Sequence, residues 1–199
     1  VHPVGGAQAI AAMAYGTETV RKVDVIVGPG NAYVAQAKQQ VAGTVGVPSA
    51  FAGPSEVVVV ADGTSPAEFT ATDLVAQMEH GPGGISWLVT WDVAVADAVD
   101  VALDRVLEDA PRGAEIAGTL ASSGHCVLVD DEQQALAVVD AIAPEHLQLM
   151  VAAPETLAER VRNAGAVFLG PWTPTSIGDY VAGPSHVLPT AGTARFAGA

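Results

Sequence analysis

Glu145 and His146 stand side by side in Ala143-Pro144-Glu145-His146-Leu147-Gln148-Leu149, a carboxylate against an imidazole on one short segment. Both side chains can take or give a proton near neutral pH once their surroundings tune them, which is the equipment of general acid–base catalysis. Pro144 fixes its own φ and disfavours the helical region for the residue before it, so Ala143 is expected in extended geometry and the pair aimed. Such a turn is equally at home on a solvated surface, and other segments have to join it before chemistry follows.

Gln77-Met78-Glu79-His80 offers the next polar group. Residues three apart share one side of a helix, so Gln77 and His80 project together, and an amide oxygen with an imidazole nitrogen can ligate a divalent metal. Two ligands do not complete a site; a lone histidine at a helix C-terminus is also favourable with the helix dipole. Asp179, in the glycine-punctuated Gly178-Asp179-Tyr180 to Gly183-Pro184-Ser185-His186, is a candidate third ligand or a turn aspartate, while His186 reads as a structural histidine. Gly53-Pro54-Ser55-Glu56 puts a hydroxyl and a carboxylate at a turn, and Gly5-Gly6-Ala7-Gln8 reads as a second turn. Gly28-Pro29-Gly30-Asn31 resembles the opening of a dinucleotide fingerprint, but Tyr33 occupies the third glycine's place; what remains is a set of helix N-terminal amides open to an anion.

The elements that must position these groups alternate in period. Val23–Val27, Val57–Ala61, Ile85–Thr90, His125–Val129, Leu147–Val151 and Ala166–Leu169 read as strands. Helices are expected from Asn31 to Val41, from Ser65-Pro66-Ala67-Glu68 to Gly81-Pro82, from Asp92 to Asp109, and over Pro111–Ala121, Asp131–Ile142 and Pro154–Ala164. Ser65 is the expected N-cap, with Pro66 at the first helical position and Glu68 closing a capping box. Gly165 is the expected stop after Ala164. Strands separated by helices imply crossovers, hence an α/β fold with mostly parallel sheets flanked by helices. The change of composition at Gly53-Pro54-Ser55 marks an expected hinge between two lobes.

The 199 residues carry eight basic against twenty-two acidic side chains, a formal charge of −14. That surface repels phosphate backbones and anionic membranes, which disfavours nucleic acid and lipid partners. The single cysteine, Cys126, excludes an intrachain disulfide and is expected as a buried small hydrophobe. No membrane-length apolar stretch and no signal peptide are visible, so the expected location is cytoplasmic. The stretch opens without a methionine, inside what reads as a folded segment, and is expected to be a piece of a longer polypeptide.

Taken in order, these segments resemble the histidinol dehydrogenase family. The stretches that carry the resemblance are Gly5-Gly6-Ala7-Gln8-Ala9-Ile10, Val27-Gly28-Pro29-Gly30-Asn31, Gly53-Pro54-Ser55-Glu56, Gln77-Met78-Glu79-His80-Gly81-Pro82 and Ala143 to Leu149. Asn163 to Gly170, Gly178-Asp179-Tyr180, His186 to Thr190 and Gly192 to Phe196 continue it. The resemblance implies a zinc- and NAD-dependent oxidation of L-histidinol to L-histidine through the aldehyde. It implies Gln77, His80 and Asp179 as zinc ligands, Glu145 and His146 as the acid–base pair, and Gln8 and Asn31 as dinucleotide contacts. The implied substrate set is Ser55, Gln77, His80, His146 and Asp179. The implied layout is parts of two incomplete Rossmann-like lobes, with residues 1–54 in the second and residues 55–199 forming the main part of the first. Met78 departs from the small residue expected there, a change expected to be tolerated.

Family members are roughly twice this length. The resemblance further implies a homodimer in which the partner supplies a zinc-ligating histidine and a substrate-binding glutamate from a C-terminal segment. This stretch alone is therefore expected to hold zinc weakly and not to turn over. Two other readings remain open from the sequence: a related zinc and NAD alcohol dehydrogenase for another small polyol or sulfonate, and an inert folding or dimerisation module.

Overall fold

The computed structural model describes residues 1–28, 30–47, 55–81, 83–181 and 188–196, the side chains of Asp179 and Tyr180 excepted. The chain divides into two compact units, Val1–Gly53 and Pro54–Ala199. The expected hinge residues Gly53 and Pro54, together with Pro29, Pro82 and His186, lie outside the described residues.

The first unit carries α1 (Gly6–Tyr15) and α2 (Ala32–Val41). Their apolar faces close on Ile10, Ala14, Ile26, Val41 and Val45. Asn31 caps α2 as its type predicts, its side-chain oxygen accepting the Val34 N–H at 3.1 Å. The strand expected over Val23–Val27 reduces to one bridge, Val25 to Gly46. Only Ile26 of its apolar run is buried, while Val25 and Val27 face solvent, and among the described residues no second ladder stabilises it. The segment read as a turn at Gly5-Gly6-Ala7-Gln8 instead opens α1, and its helical spacing was masked by small residues.

The second unit is one parallel sheet of β1 (Ser55–Ala61), β2 (Gly84–Thr90), β3 (Gly124–Leu128), β4 (His146–Met150) and β5 (Ala166–Leu169), in the spatial order β3-β2-β1-β4-β5. Its helices are α3 (Ala67–Met78), α4 (Val93–Asp109), α5 (Gly113–Ser123), α6 (Glu132–Ile142), α7 (Pro154–Ala158) and α8 (Ser176–Tyr180). Central β1 shows why its run is apolar throughout. Val57, Val59 and Ala61 pack beneath α3 and α4, with Leu74, Val95 and Val99. Val58 and Val60 face α6 and α7, with Leu136, Val139 and Leu157. A strand covered on both faces cannot alternate. Burying each such side chain contributes about 1.5–3 kcal/mol. Met78 is buried against Val75 and Ile116 of α5, so the larger side chain is accommodated in a third cluster.

Four local expectations give way to tertiary demands. Ser65 does not cap α3; its hydroxyl donates to the Met150 carbonyl, and the helix begins one residue later from Pro66. The helix from Pro154 stops at Ala158, because the Arg162 and Asn163 N–H groups donate to the Asp140 carboxylate at 2.9 and 3.1 Å. Ala143 is not extended but left-handed, φ 53° and ψ 61°, fully buried at the C-cap of α6. Pro144 disfavours only the right-handed helical region, and the helix stop takes the left-handed one. Cys126 is exposed, because β3 is an edge strand and three of its five residues face solvent.

Candidate active site

The polar side chains gather at the amino ends of β1 and β4, which are neighbours in the sheet although about ninety residues apart in sequence. Ser55 begins β1 and His146 begins β4. The Glu145 carboxylate bridges the two strands: Oε2 accepts the Ser55 hydroxyl and the Glu56 N–H, each at 3.0 Å. Two donors on one oxygen hold the carboxylate in place.

His146 is fixed with equal economy. Its Nδ1 lies 3.1 Å from the Glu56 carbonyl oxygen, which can only accept, so Nδ1 carries the proton in that contact. Nε2 of the neutral ring is then left with its lone pair, the form a general base needs. Nδ1 also lies 3.5 Å from Glu145 Oε2, and the ring tilts against Phe168 with centroids 6.0 Å apart. Glu145 and His146 are both buried, about 8 % exposed, so water competes little for either.

The second wall comes from α3. Gln77 is buried near its C-terminus, and His80 follows the helix end, its Nδ1 3.1 Å from the Gln77 carbonyl oxygen. That contact again places the proton on Nδ1 and frees Nε2. A cavity of about 350 Å³ is lined by Gln77, Glu79, His80, His146, Thr175 and Ser176. Gln77 Nε2 is buried with no hydrogen-bond partner among the described residues. That side chain presents an unengaged polar group to the cavity it shares with His80. An imidazole nitrogen and an amide oxygen on one wall suit a divalent metal. Among the described residues no cluster of three His, Cys, Asp or Glu side chains forms a complete site.

Of the residues singled out from the sequence, Ser55, Glu145 and His146 form one hydrogen-bonded group, and Gln77 and His80 share a cavity with His146. Asp179 lies in α8, three residues beyond the cavity-lining Ser176, in what had read as a loop; its side chain is outside the described residues. Gln8 in α1 and Asn31 at the start of α2 are exposed on the first unit, and the oxygen of Asn31 is engaged as a helix cap.

Two buried carboxyls were not picked out. Glu56 is pushed above the usual carboxylate range by burial, partly offset by the Ala191 and Glu145 N–H groups and reinforced by the nearby Glu145 charge. Asp73, one helical turn before Gln77, is pushed up to about 6 by burial, partly offset by the Thr175 N–H. Glu56 was visible only as the neighbour of Ser55. For Asp73 the available signal was a carboxylate set among Ala71, Leu74 and Val75 of an apolar stripe.

Comparison with known proteins follows the same lines. The family profile described as histidinol dehydrogenase matches residues 1–199. The chain is 53% identical over 196 residues to the histidinol dehydrogenase of Parasynechococcus marenigrum, covering 98% of this chain and 45% of that protein. It is 51% identical over 195 residues to the Thermus thermophilus enzyme, covering 98% and 47%. The crystal structure of histidinol dehydrogenase from Elizabethkingia anophelis superposes with a TM-score of 0.90 at 40% identity, over 97% of this chain and 44% of that one. An acetylating aldehyde dehydrogenase from Geobacillus thermoglucosidasius, 14% identical with a TM-score of 0.56 over 92% of this chain and 54% of that one, shares the fold alone. The chain thus spans a little under half the length of the curated relatives it matches.

Proposed function

This chain belongs to the histidinol dehydrogenase family, and from that premise we propose that it supplies the acid–base and metal-facing walls of a site oxidising L-histidinol to L-histidine through the aldehyde. The observation that carries this reading is the Glu145–His146 pair, held at the amino ends of two parallel strands and opening through His146 onto the cavity of Gln77 and His80. The cofactors proposed are Zn²⁺ and NAD, the substrate is L-histidinol, and the longer protein acts as a cytoplasmic homodimer. The first unit is proposed as part of a second nucleotide-binding lobe, with Gln8 and Asn31 facing the dinucleotide, and residues 55–199 as the main part of the first lobe.

Gln77 and His80, together with Asp179, would hold the metal, which when bound would supply a Lewis acid for orienting the substrate. Histidinol carries a primary alcohol, and its first oxidation needs a base for the hydroxyl proton as hydride leaves for NAD. His146 meets that need, because Nδ1 is committed to the Glu56 carbonyl and Nε2 is free. The second oxidation needs water added to the aldehyde. Glu145, held in place by Ser55 and Glu56, takes the proton from that water, and the hydrated aldehyde then gives its second hydride to a second NAD. Ser55 also contacts the substrate.

A zinc titration read by thermal melting tests the metal-facing wall. Zn²⁺ is expected to raise the melting temperature of the parent chain and to lose that effect when Gln77 or His80 is changed to alanine. No shift in the parent, or an equal shift in both variants, rules out the proposed ligands.

A further inference from the structure

We infer that Phe168 is a positioning residue: its ring is packed against both the His146 imidazole and α8, and so sets the aim of the proposed base and the placement of the helix that carries Asp179. Phe168 is buried in β5, in register with Gln148 of β4. Paired residues of a ladder share a sheet face, so Phe168 and His146 are diagonal neighbours across β4 and β5. Their rings lie with centroids 6.0 Å apart and planes tilted by 33°, within the range of aromatic contact. Gln148 secures the chain just beyond the ring, its fully buried side chain donating through Nε2 to the Gly170 carbonyl at 2.7 Å.

The same ring meets α8 at Gly178, the residue before Asp179. A Cβ built on Gly178 would lie 2.9 Å from Phe168 Cζ and 3.1 Å from Cε1, closer than packed side chains stand, so the helix comes onto the ring edge as near as a bare backbone allows. A helix of five residues does not hold its own position, because nucleation is unfavourable and so few bonds follow. Its place is set by what it packs against. His146 needs similar support: a hydrogen bond from Nδ1 to the Glu56 carbonyl holds one edge of the imidazole, and the phenyl ring beside it limits how far Nε2 can turn. His146 and the α8 residue Ser176 line one cavity with Gln77 and His80, whereas Phe168 is not among the lining residues. It acts through His146 and α8, not on a ligand.

The role rests on the base and metal reading given above, so the test separates the two. In the full-length enzyme, the zinc dissociation constant is measured by chelator competition, and the alcohol and aldehyde oxidations by single turnover at saturating zinc, for Gly178→Ala, Phe168→Leu and the double variant. Gly178→Ala drives α8 off the ring and is expected to weaken zinc about 10- to 100-fold, the usual cost of disturbing an outer support of a metal site. Phe168→Leu removes the ring edge that the new methyl meets, so the double variant is expected to regain most of the lost affinity, a non-additivity that only a direct contact gives. Phe168→Leu alone is expected to slow alcohol oxidation by about 10- to 100-fold, the cost of misplacing a reacting group by about 1 Å, and to slow aldehyde oxidation less. Parent-like zinc affinity in Gly178→Ala, or a double variant no better than Gly178→Ala, overturns the spacing of α8. If Gly178→Ala does not fold, Phe168→Leu decides: parent-like alcohol oxidation, or equal loss of both steps, overturns the role. Gln77→Ala, His80→Ala and His146→Asn serve as controls: if the first two leave zinc affinity unchanged, or the third leaves alcohol oxidation unchanged, the metal or base reading itself fails, whatever Phe168 does.

Discussion

At the scale of single residues, the site works by committing one end of each polar side chain and leaving the other free. The Glu56 backbone does most of this, since its N–H holds Glu145 and its C=O holds His146. Because the two dyad members are held separately, their losses should separate too. His146→Asn in the full-length enzyme is expected to slow the first oxidation by about 10²–10⁴-fold, the range for removing a positioned general base. Glu145→Gln is expected to spare alcohol oxidation and block aldehyde oxidation. Stopped-flow reduction of NAD with histidinol and with the aldehyde distinguishes these steps; equal damage to both by the glutamate variant contradicts the division of labour.

At the scale of elements, the two ends of the β1–β4 pair do different jobs. The carboxyl ends of strands are where open α/β sheets usually bind ligands. Here that end is stitched shut between the two central strands. Asp62, just past β1, accepts the Ala152 N–H at 2.8 Å and the Thr64 N–H at 2.8 Å, and its own N–H donates to the Met150 carbonyl. The proposed chemistry sits at the opposite, amino end. Asp62→Ala should therefore cost about 0.5–1.5 kcal/mol, through the lost hydrogen bonds to exposed backbone donors, while zinc affinity stays at the parent value. Urea unfolding beside a zinc titration checks both halves; a large loss of zinc affinity without loss of stability contradicts this placement. Gly165 shows how closely the β4–β5 pair is built at the site's end. A Cβ there would lie 2.6 Å from the Glu145 carbonyl oxygen and 3.1 Å from Pro189. Gly165→Ala is accordingly expected to displace Glu145 and lower aldehyde oxidation more than a surface Gly→Ala change at Gly118, where nothing lies within 4 Å. Similar rates in the two variants would sink the idea.

At the scale of the whole molecule, the buried carboxyls tie stability to pH. Asp73 has its folded pKa pushed up to about 6 from an ordinary value of 3.8. The native state therefore binds more protons than the unfolded state between those values, and stability falls as pH rises through them. The contribution is fully present below about pH 4 and lost above about pH 6, on the order of 2–3 kcal/mol. Glu56, also shifted upward by burial, adds in the same direction. Asp73→Asn should flatten this part of the profile, so the difference in urea midpoint between parent and variant changes across pH 4 to 7. A constant difference would show that Asp73 titrates alike in the folded and unfolded states. No helix among the described residues is long and apolar enough to cross a membrane, in line with the charge and hydropathy of the sequence.

The sequence by itself determined the class of the fold, because hydrophobic period and cap residues are local properties. Asp92, Asp131 and Asn31 begin their helices as their types predict, each accepting a nearby backbone N–H. The apolar run of β1 announced a strand covered on both faces. It also supplied the candidate residues, since the segments around Gln77, Glu145 and Asp179 are distinctive in type and order. Tertiary structure alone decided which of those residues meet. Ser55 reaches Glu145 only because β1 and β4 pair across about ninety residues of chain, and no local pattern encodes that neighbour. The same is true where local signals were overruled: Ser65 left its helix to bond Met150, and Asp140 stopped the helix after Ala158. A buried donor or acceptor takes the partner that packing brings to it, and sequence spacing shows that partner only when it lies within a turn or two.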